Sequence, residues 1–286
     1  MQIREIINHL EQWAPPSFQE SYDNSGLIAG NAKLACTGVL VSLDCTESVV
    51  LEAEERGCNL IVSHHPLLFS PIKSLTGKNE TERALIGAIE RKIAVYAIHT
   101  NLDHVQNGVN AEISRRLGLQ NSRILRPLNN KLLKLITYVP DDHLEKVRQA
   151  LFEAGAGHIG AYDQCSYASD GIGTFRPLEG TKPFSGKINT LQQDPEKRLE
   201  LLLPSHRRRA VLEALENAHP YAEVAFDLLQ LENTLKTAGS GMIGSLPVPM
   251  PASEFLKLVK DTFGGMVRYT EPPQSTVQHI ALCGGS

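Results

Sequence analysis

The stretch Leu60-Ile61-Val62-Ser63-His64-His65-Pro66 is an apolar run that ends in two adjacent histidines and a proline. Such a run is typical of a strand buried on both faces, and the proline favours an end to that strand. Because adjacent side chains in a strand point to opposite faces, His64 and His65 can reach one site only after the strand has ended. The stretch therefore predicts a buried strand with a histidine pair at its carboxyl end.

Apolar runs and helical patterns alternate on both sides of this strand. The runs at 38–43 and 93–98 predict further strands, and the spacing of apolar residues predicts helices near 47–56, 81–91 and 110–117. Alternation of this kind indicates βαβ units and a parallel sheet covered by helices on both faces. We therefore expect an α/β fold for this part of the chain.

The pattern changes at about residue 131. The elements predicted next are strand 132–139, helix 142–154, strands within 160–175, strand 198–203, helix 205–218 and strand 223–231. This β-α-β-β-α-β order is that of a ferredoxin-like unit. A helix predicted at 253–263 and a strand predicted at 277–283 resume the first pattern, and we expect that strand to lie parallel in the core sheet.

The predicted organisation is an α/β core domain with a parallel sheet, interrupted by a ferredoxin-like α+β insertion. We expect the core domain to comprise residues 1–130 and 233–286, and the insertion to comprise residues 131–232. A length of 286 residues agrees with two domains.

The composition argues against several classes of protein. A net charge of -4 without a long basic block gives no attraction to nucleic acid or to an anionic membrane. No segment approaches the roughly 18 apolar residues of a membrane span, and the first residues lack the apolar stretch of a signal peptide. Five cysteines without a C-x-x-C pair argue against a disulfide framework and a thiolate zinc cluster. We expect a cytoplasmic protein with a small-molecule partner.

A second polar stretch, His99-Thr100-Asn101-Leu102-Asp103-His104, follows the strand predicted at 93–98. The carboxyl ends of parallel strands meet at one edge of a sheet, so Asp103 is expected near His64 and His65. Neutral imidazole binds zinc, iron and nickel, and two neighbouring histidines can serve two ions. These three residues are our candidate metal ligands. The alternatives are ordinary surface or hydrogen-bonded histidines, and an Asp103 that only caps a turn or a helix.

Four other residues are candidates for supporting the site. His99 is interpreted as a group that holds a ligand through a hydrogen bond rather than as a ligand itself. Asp44 follows a predicted strand and precedes a predicted helix, so it either caps that helix or belongs to the site. The polar turn Tyr22-Asp23-Asn24-Ser25-Gly26-Leu27 can present Asn24 or Asp23 to the same pocket.

Together these motifs resemble the NGG-one-interacting-factor-three-like proteins, widely labelled GTP cyclohydrolase I type 2 homologues. The resemblance rests on residues 22–27, on Leu60 to Leu67, on His99 to Asp103 and on Gly108-Val109-Asn110, in this order. It extends over essentially the whole chain, because longer members of the family carry an inserted unit similar to the PII fold. Gly171 to Arg176 and His219-Pro220-Tyr221 are similar to that insertion.

The resemblance implies a centre of two divalent ions, such as zinc, iron or manganese. In it, His64 and His65 bind different ions, and Asp103 joins His65 on one of them. It also implies a homohexamer and a metal-dependent hydrolase that acts on a small molecule such as a purine nucleotide. The alternative is a non-catalytic metal-binding or regulatory protein.

Members of this family continue beyond the strand predicted at 277–283, and that continuation supplies a further histidine and a glutamate to the centre. This chain ends in Gly284-Gly285-Ser286. We therefore expect those two ligands to be absent from it, and metal binding to be weaker as a result.

Overall fold

The chain folds into two compact units. A computed structural model describes residues 1–272 and 274–285, so Pro273 and Ser286 lie outside the described residues. Unit 1 comprises Met1–Pro127 and Thr237–Ser286, and unit 2 comprises Leu128–Lys236. No helix among the described residues is both long enough and apolar enough to span a membrane. All five cysteines are free thiols.

Unit 1 contains two sheets and six helices among its described residues. In chain order its elements are α1 Ile3–Trp13, β1 Gly26–Ala29, β2 Val39–Ser42, α2 Glu47–Glu55, β3 Leu60–Ser63, α3 Glu80–Glu90, β4 Ala94–Ala97, α4 Thr100–His104, α5 Val109–Arg116, β5 Gln120–Leu128, then β10 Leu235–Pro251, α8 Ala252–Phe263 and β11 Thr276–Leu282, with a 3-10 turn at Pro16–Phe18.

The first sheet has the strand order β1-β4-β3-β2. Strands β2, β3 and β4 are parallel, and β1 pairs antiparallel with β4. Every residue of β3 and β4 is buried, and Ile61 and Val95 pack against the apolar faces of helices α2 and α3. The parallel sheet predicted from the sequence is confirmed, and it brings the carboxyl ends of β2, β3 and β4 to one edge.

Helices α2 and α3 begin where the sequence places a capping side chain. The Thr46 hydroxyl accepts a hydrogen bond from the Val49 N–H, and the Asn79 side chain accepts one from the Glu82 N–H. Just beyond α2, Gly57 has φ 68°, a left-handed conformation that favours glycine at a helix end. These caps fix both helices beside the edge of the sheet where the polar stretches lie.

The second sheet of unit 1 corrects one expectation. The strand predicted at 277–283 is β11, which pairs antiparallel with β10 and lies in a separate sheet of order β11-β10-β5. The expected parallel arrangement is therefore wrong. The sequence analysis also missed β10, because glycines and prolines interrupt its pattern. Gly239 must be a glycine, since a Cβ there would lie 2.1 Å from the Arg126 carbonyl oxygen.

Unit 2 is a four-stranded antiparallel sheet with two helices. Its elements are β6 Leu132–Pro140, α6 Leu144–Glu153, β7 Ser166–Phe175, β8 Gln192–Pro204, α7 Arg208–Ala218 and β9 Phe226–Gln230, with 3-10 turns at Asp141–His143 and Ser205–Arg207. The strand order β7-β8-β6-β9 is that of a ferredoxin-like fold. Apolar residues of β6, β8, α6 and α7 form its core. The predicted fold class, an α/β chain with an α+β unit inside it, is confirmed.

Candidate metal centre

The histidine pair follows the last residue of β3. Backbone hydrogen bonds from the N–H groups of His64 and His65 to Ser42 and Leu43 anchor the pair to the end of β2. The buried Ser63 hydroxyl donates to the His65 carbonyl oxygen at 2.8 Å. Since the strand has ended, both imidazoles can lie on one side, and their ring centroids are 5.1 Å apart.

His99 joins this pair from the end of β4. Its ring centroid lies 5.2 Å from that of His64 and 5.5 Å from that of His65. One ligand atom from each of the three residues lies within 4.8 Å of the others, so His64, His65 and His99 could hold a metal ion. The sequence analysis gave His99 a supporting position, whereas the structure places it within the group.

Each of the three imidazoles is held through Nδ1 by a different acceptor. His64 Nδ1 lies 2.9 Å from the Ile98 carbonyl oxygen, His65 Nδ1 lies 2.7 Å from Asp44 Oδ1, and His99 Nδ1 lies 2.8 Å from Asp23 Oδ1. A carbonyl or an ionised carboxylate can only accept, so each Nδ1 donates its proton. In a neutral imidazole this leaves the Nε2 lone pair available to a metal ion.

Asp103 lies beside this group on α4. Its Oδ1 is 4.0 Å from His64 Nε2, and this buried oxygen makes no hydrogen bond. The pKa of the Asp103 carboxyl is raised by burial, and the neighbouring His64, His99 and His104 offset only part of that shift. A buried carboxylate oxygen without a donor is rare unless a cation satisfies it. The residues present therefore fit a bound divalent ion.

The end of β11 is fixed against Asp103 through Asn110, which is buried. The Asn110 side chain donates to the Asp103 carbonyl oxygen at 2.8 Å and accepts from the Gly284 N–H at 2.7 Å. A Cβ at Gly285 would lie 2.2 Å from Asp103 Oδ2, so a larger residue there would displace the Asp103 carboxylate. Ser286 lies outside the described residues.

Asp23 is the carboxylate that supports His99. Its side chain is fully buried and accepts hydrogen bonds from the Thr100 N–H and hydroxyl, from the Ser25 hydroxyl and from the Asn24 N–H. Burial acts to raise the pKa of Asp23, but the bonds from Thr100, His99, Ser25 and Asn24 outweigh it and lower the pKa to about 2. Asp23 is thus an anion at neutral pH.

The structure decides between the alternatives for Asp44 and Asn24. Asp44 does not cap α2, because Thr46 occupies that position, and its side chain contacts His65 instead. The Asn24 amide donates to the Leu68 carbonyl oxygen at 2.7 Å, so it fixes the backbone near the site. Of the two residues that the polar turn could present, Asp23 is the one that contacts a histidine of the group.

A cavity of about 610 Å³ opens beside the histidines. His65 and His99 form part of its wall, and Tyr22 and Phe69, each more than half exposed, stand at its surface. Its charged residues are Asp44 and Glu80, and no lysine or arginine is found among the described residues that line it. The other lining residues are Cys45, Thr46, Pro66, Leu67 and Thr81.

The fold and the site together define a class: α/β proteins with a histidine-rich candidate metal centre at the carboxyl ends of parallel strands. The model of the Duf34/NIF3 (NGG1p interacting factor 3) family matches residues 1–286, and this chain belongs to that family. The family resemblance inferred from the sequence motifs is confirmed.

Relatives match over nearly the whole chain. It is 39% identical over 284 residues to a GTP cyclohydrolase 1 type 2 homolog of Bacillus subtilis, a match that covers 99% of this chain and 76% of the relative. A protein of the same name from Mycobacterium tuberculosis is 34% identical over 292 residues, covering 100% and 76%. The crystal structure of a Bacillus cereus protein related to NIF3 is 37% identical with a TM-score of 0.85, covering 100% and 77%.

Proposed function

We propose that this chain is a metal-dependent hydrolase whose divalent ions are bound by His64, His65 and Asp103, with His99 as a further ligand. The observation that carries the proposal is the common orientation of the three imidazoles. Each donates from Nδ1 to an outer acceptor and so has Nε2 available, and a buried Asp103 oxygen without a donor lies 4.0 Å from Nε2 of His64. The names of the relatives support a hydrolase of the GTP cyclohydrolase kind.

Two ions are proposed rather than one. His64 and His65 are adjacent residues with separate acceptors, and Asp103 Oδ1 lies 4.0 Å from His64 Nε2. This arrangement supports an ion shared by His64 and Asp103, in place of the pairing of His65 with Asp103 that the resemblance implies, beside a second ion at His65 and His99. Mixed nitrogen and oxygen ligands suit zinc, iron or manganese.

When bound, such ions would polarise the substrate and make a water molecule a nucleophile at neutral pH. The residues of the chain would hold the metal ligands in position. Asp23 and Asp44 fix the rings of His99 and His65, and the buried Asp103 supplies negative charge beside His64. His65 and His99 also face the cavity, so a substrate held there lies next to the ligands. The candidate substrates are cyclic amides, phosphoesters and purine nucleotides.

Metal content tests the assignment. We expect His64→Ala, His65→Ala, His99→Ala and Asp103→Ala each to lower the zinc or manganese bound per chain, measured by elemental analysis after loading and desalting. His9→Ala is the control, since His9 is exposed on α1. Wild-type stoichiometry in all four variants would refute the site. Hydrolysis assays with GTP and cyclic amides then separate a hydrolase from the alternative, a metal-binding protein without turnover.

Two further features stay predictions. A cytoplasmic location is expected from the composition, and a homohexamer is implied by the family resemblance. Light scattering of the purified chain measures the second of them.

A further inference from the structure

We propose that the cavity beside the histidines selects a planar heterocycle without a triphosphate group, either uncharged or cationic. The proposal rests on the proposed function, because it names the class of molecule held next to the metal ligands. Three features of the cavity support it: aromatic side chains at its surface, the sign of its charges, and the way in which its helix ends are already satisfied.

The aromatic side chains provide a stacking surface next to the ligands. Phe69 is 55% exposed, and its ring centroid lies 5.8 Å from that of His99 at an interplanar angle of 81°. Tyr22, on the polar turn beside Asp23, is 56% exposed and lines the same cavity. Large aromatic rings that remain half exposed beside a polar site are typical of platforms on which a flat ligand stacks.

The charges of the cavity oppose a polyanion. Phosphate groups in proteins are usually bound by arginine or lysine, and none is found among the described residues that line this cavity. Its charged lining residues are Asp44 and Glu80, both carboxylates. Divalent ions at the histidines would offset part of this negative charge, but they leave no cationic side chain for the phosphates farther from the ligands.

The N-termini of the helices at the cavity do not take the place of lysine or arginine side chains in binding phosphate. Helices α2 and α3 both begin here, and the N-terminus of a helix attracts anions. In α2, however, Thr46 already accepts from the Val49 N–H and Glu47 lies in the first turn. In α3, Asn79 accepts from the Glu82 N–H, and Glu80 and Glu82 occupy the first turn. Both ends therefore carry their own acceptors and negative charge.

The size of the cavity agrees with a ligand of one or two rings. A volume of about 610 Å³ lies within the range of roughly 300 to 1,000 Å³ found for small-molecule sites. A nucleoside or a free base fits this range and needs no cationic side chain. A nucleoside triphosphate would place about four negative charges against two carboxylates.

Equilibrium dialysis of the zinc-loaded protein with guanosine and with GTP tests the inference, because the two probes share a base and differ in the triphosphate. We expect guanosine to bind at least tenfold more tightly. Phe69→Ala should weaken guanosine binding about tenfold, in line with the loss of one stacking contact, whereas Phe69→Tyr should retain it. Glu80→Gln should strengthen GTP binding several-fold, and Glu90→Gln, at the far end of α3, should not.

Tighter binding of GTP than of guanosine overturns the inference, as does a Phe69→Ala variant with unchanged guanosine affinity or an absence of guanosine binding at millimolar concentration. The result is independent of turnover. If the protein hydrolyses substrates with bound metal but prefers GTP, the inference fails and the proposed function stands. If guanosine is preferred but no hydrolysis is found, the proposed function fails and the ligand class stands.

Discussion

The three histidines differ in the group that holds Nδ1. His65 and His99 each donate to a carboxylate, whereas His64 donates to a backbone carbonyl. A carboxylate partner makes an imidazole a stronger metal ligand, because it stabilises the positive charge that metal binding induces on the ring. Asp23 is fully buried, whereas the Asp44 side chain is 57% exposed, so the pair of His99 and Asp23 is the better shielded from solvent.

Replacement of Asp23 should therefore weaken metal binding without removing a ligand. We expect Asp23→Asn to lower the zinc affinity by about 10- to 100-fold, because His99 loses its charged acceptor. Asp44→Asn should have a smaller effect, since solvent already screens that pair. Competition with a fluorescent chelator measures both affinities, and Asp227→Asn, an exposed position on β9, is the control. An unchanged affinity in Asp23→Asn would remove its positioning role.

Sequence analysis found the candidate ligands but not all of their partners. The adjacency of His64 and His65 after an apolar run is a local signal, and Asp103 follows the next strand of the sheet. The contact between Asp23 and His99 joins positions 76 residues apart, so no local pattern could assign one to the other. The contact between Asp44 and His65 was not assigned for a different reason: the position of Asp44 just before α2 favoured its interpretation as a helix cap.

Among the secondary structure elements, α3 also fixes the loop that leads into it. Glu82, on the first turn of this helix, is buried and accepts hydrogen bonds from the Thr76 N–H and hydroxyl and from the Lys78 N–H. The bond from the Thr76 N–H, opposed by burial and aided by the bonds from Lys78 and the Thr76 hydroxyl, lowers the pKa of Glu82 to about 2. One ionised side chain thus holds the loop between β3 and α3.

This depressed pKa predicts how stability depends on pH. The stabilisation that ionised Glu82 contributes is fully present above the ordinary glutamate pKa of 4.5. It is lost as the pH falls towards 2, because protonation removes the charge that the N–H groups solvate. Glu82→Gln should therefore be less stable than the wild type at pH 7, and the difference should shrink between pH 4.5 and pH 3. Urea denaturation at each pH measures it, with the exposed Glu55→Gln as control. A constant difference across this range would contradict the assignment.

The elements themselves were predictable where hydrophobic patterning was uninterrupted. The short strands β2, β3 and β4 and the helices α2 and α3 were predicted within a few residues of their bounds. Strand β10 was not, because its backbone closely approaches β5 at Gly239 and Gly244 and the Leu282 carbonyl oxygen of β11 at Gly241. These glycines remove the alternation of side chains by which a strand is recognised. The direction of β11 could not be inferred without knowing this partner.

At the scale of the whole molecule, the chain leaves unit 1 for unit 2 and returns to unit 1 through neighbouring strands. Strands β5 and β10 are adjacent in one sheet. A Cβ at Gly239 would meet Arg126 and one at Gly244 would meet Gln120 and Ser122, so the two strands run antiparallel. The end of β5 and the start of β10 therefore lie at the same end of the sheet. A short linker between these two points can replace the inserted unit.

Removal of residues 128–236 and closure by a short glycine-serine linker should leave a folded unit 1. We expect one cooperative unfolding transition, and the metal stoichiometry of the full chain, because His64, His65, His99 and Asp103 all lie in unit 1. Thermal unfolding followed by circular dichroism and elemental analysis are the measurements. A broad transition without cooperativity would show that unit 1 depends on unit 2.

The same insertion sets an order of events during synthesis. Strand β5 emerges from the ribosome before unit 2, but its partner β10 follows only after roughly a hundred more residues, about 5 to 20 s later at ordinary elongation rates. The parallel sheet and all four candidate ligands precede that delay. A nascent chain whose first 128 residues have emerged should therefore already bind zinc while the edge of β5 is unpaired, and chains arrested on the ribosome at that stage, tested for zinc-dependent protection from protease, would show whether it does. In a cell with little zinc, nascent chains would then pass through this interval without bound metal and with β5 unpaired. Edge-to-edge aggregation is most favoured in that state.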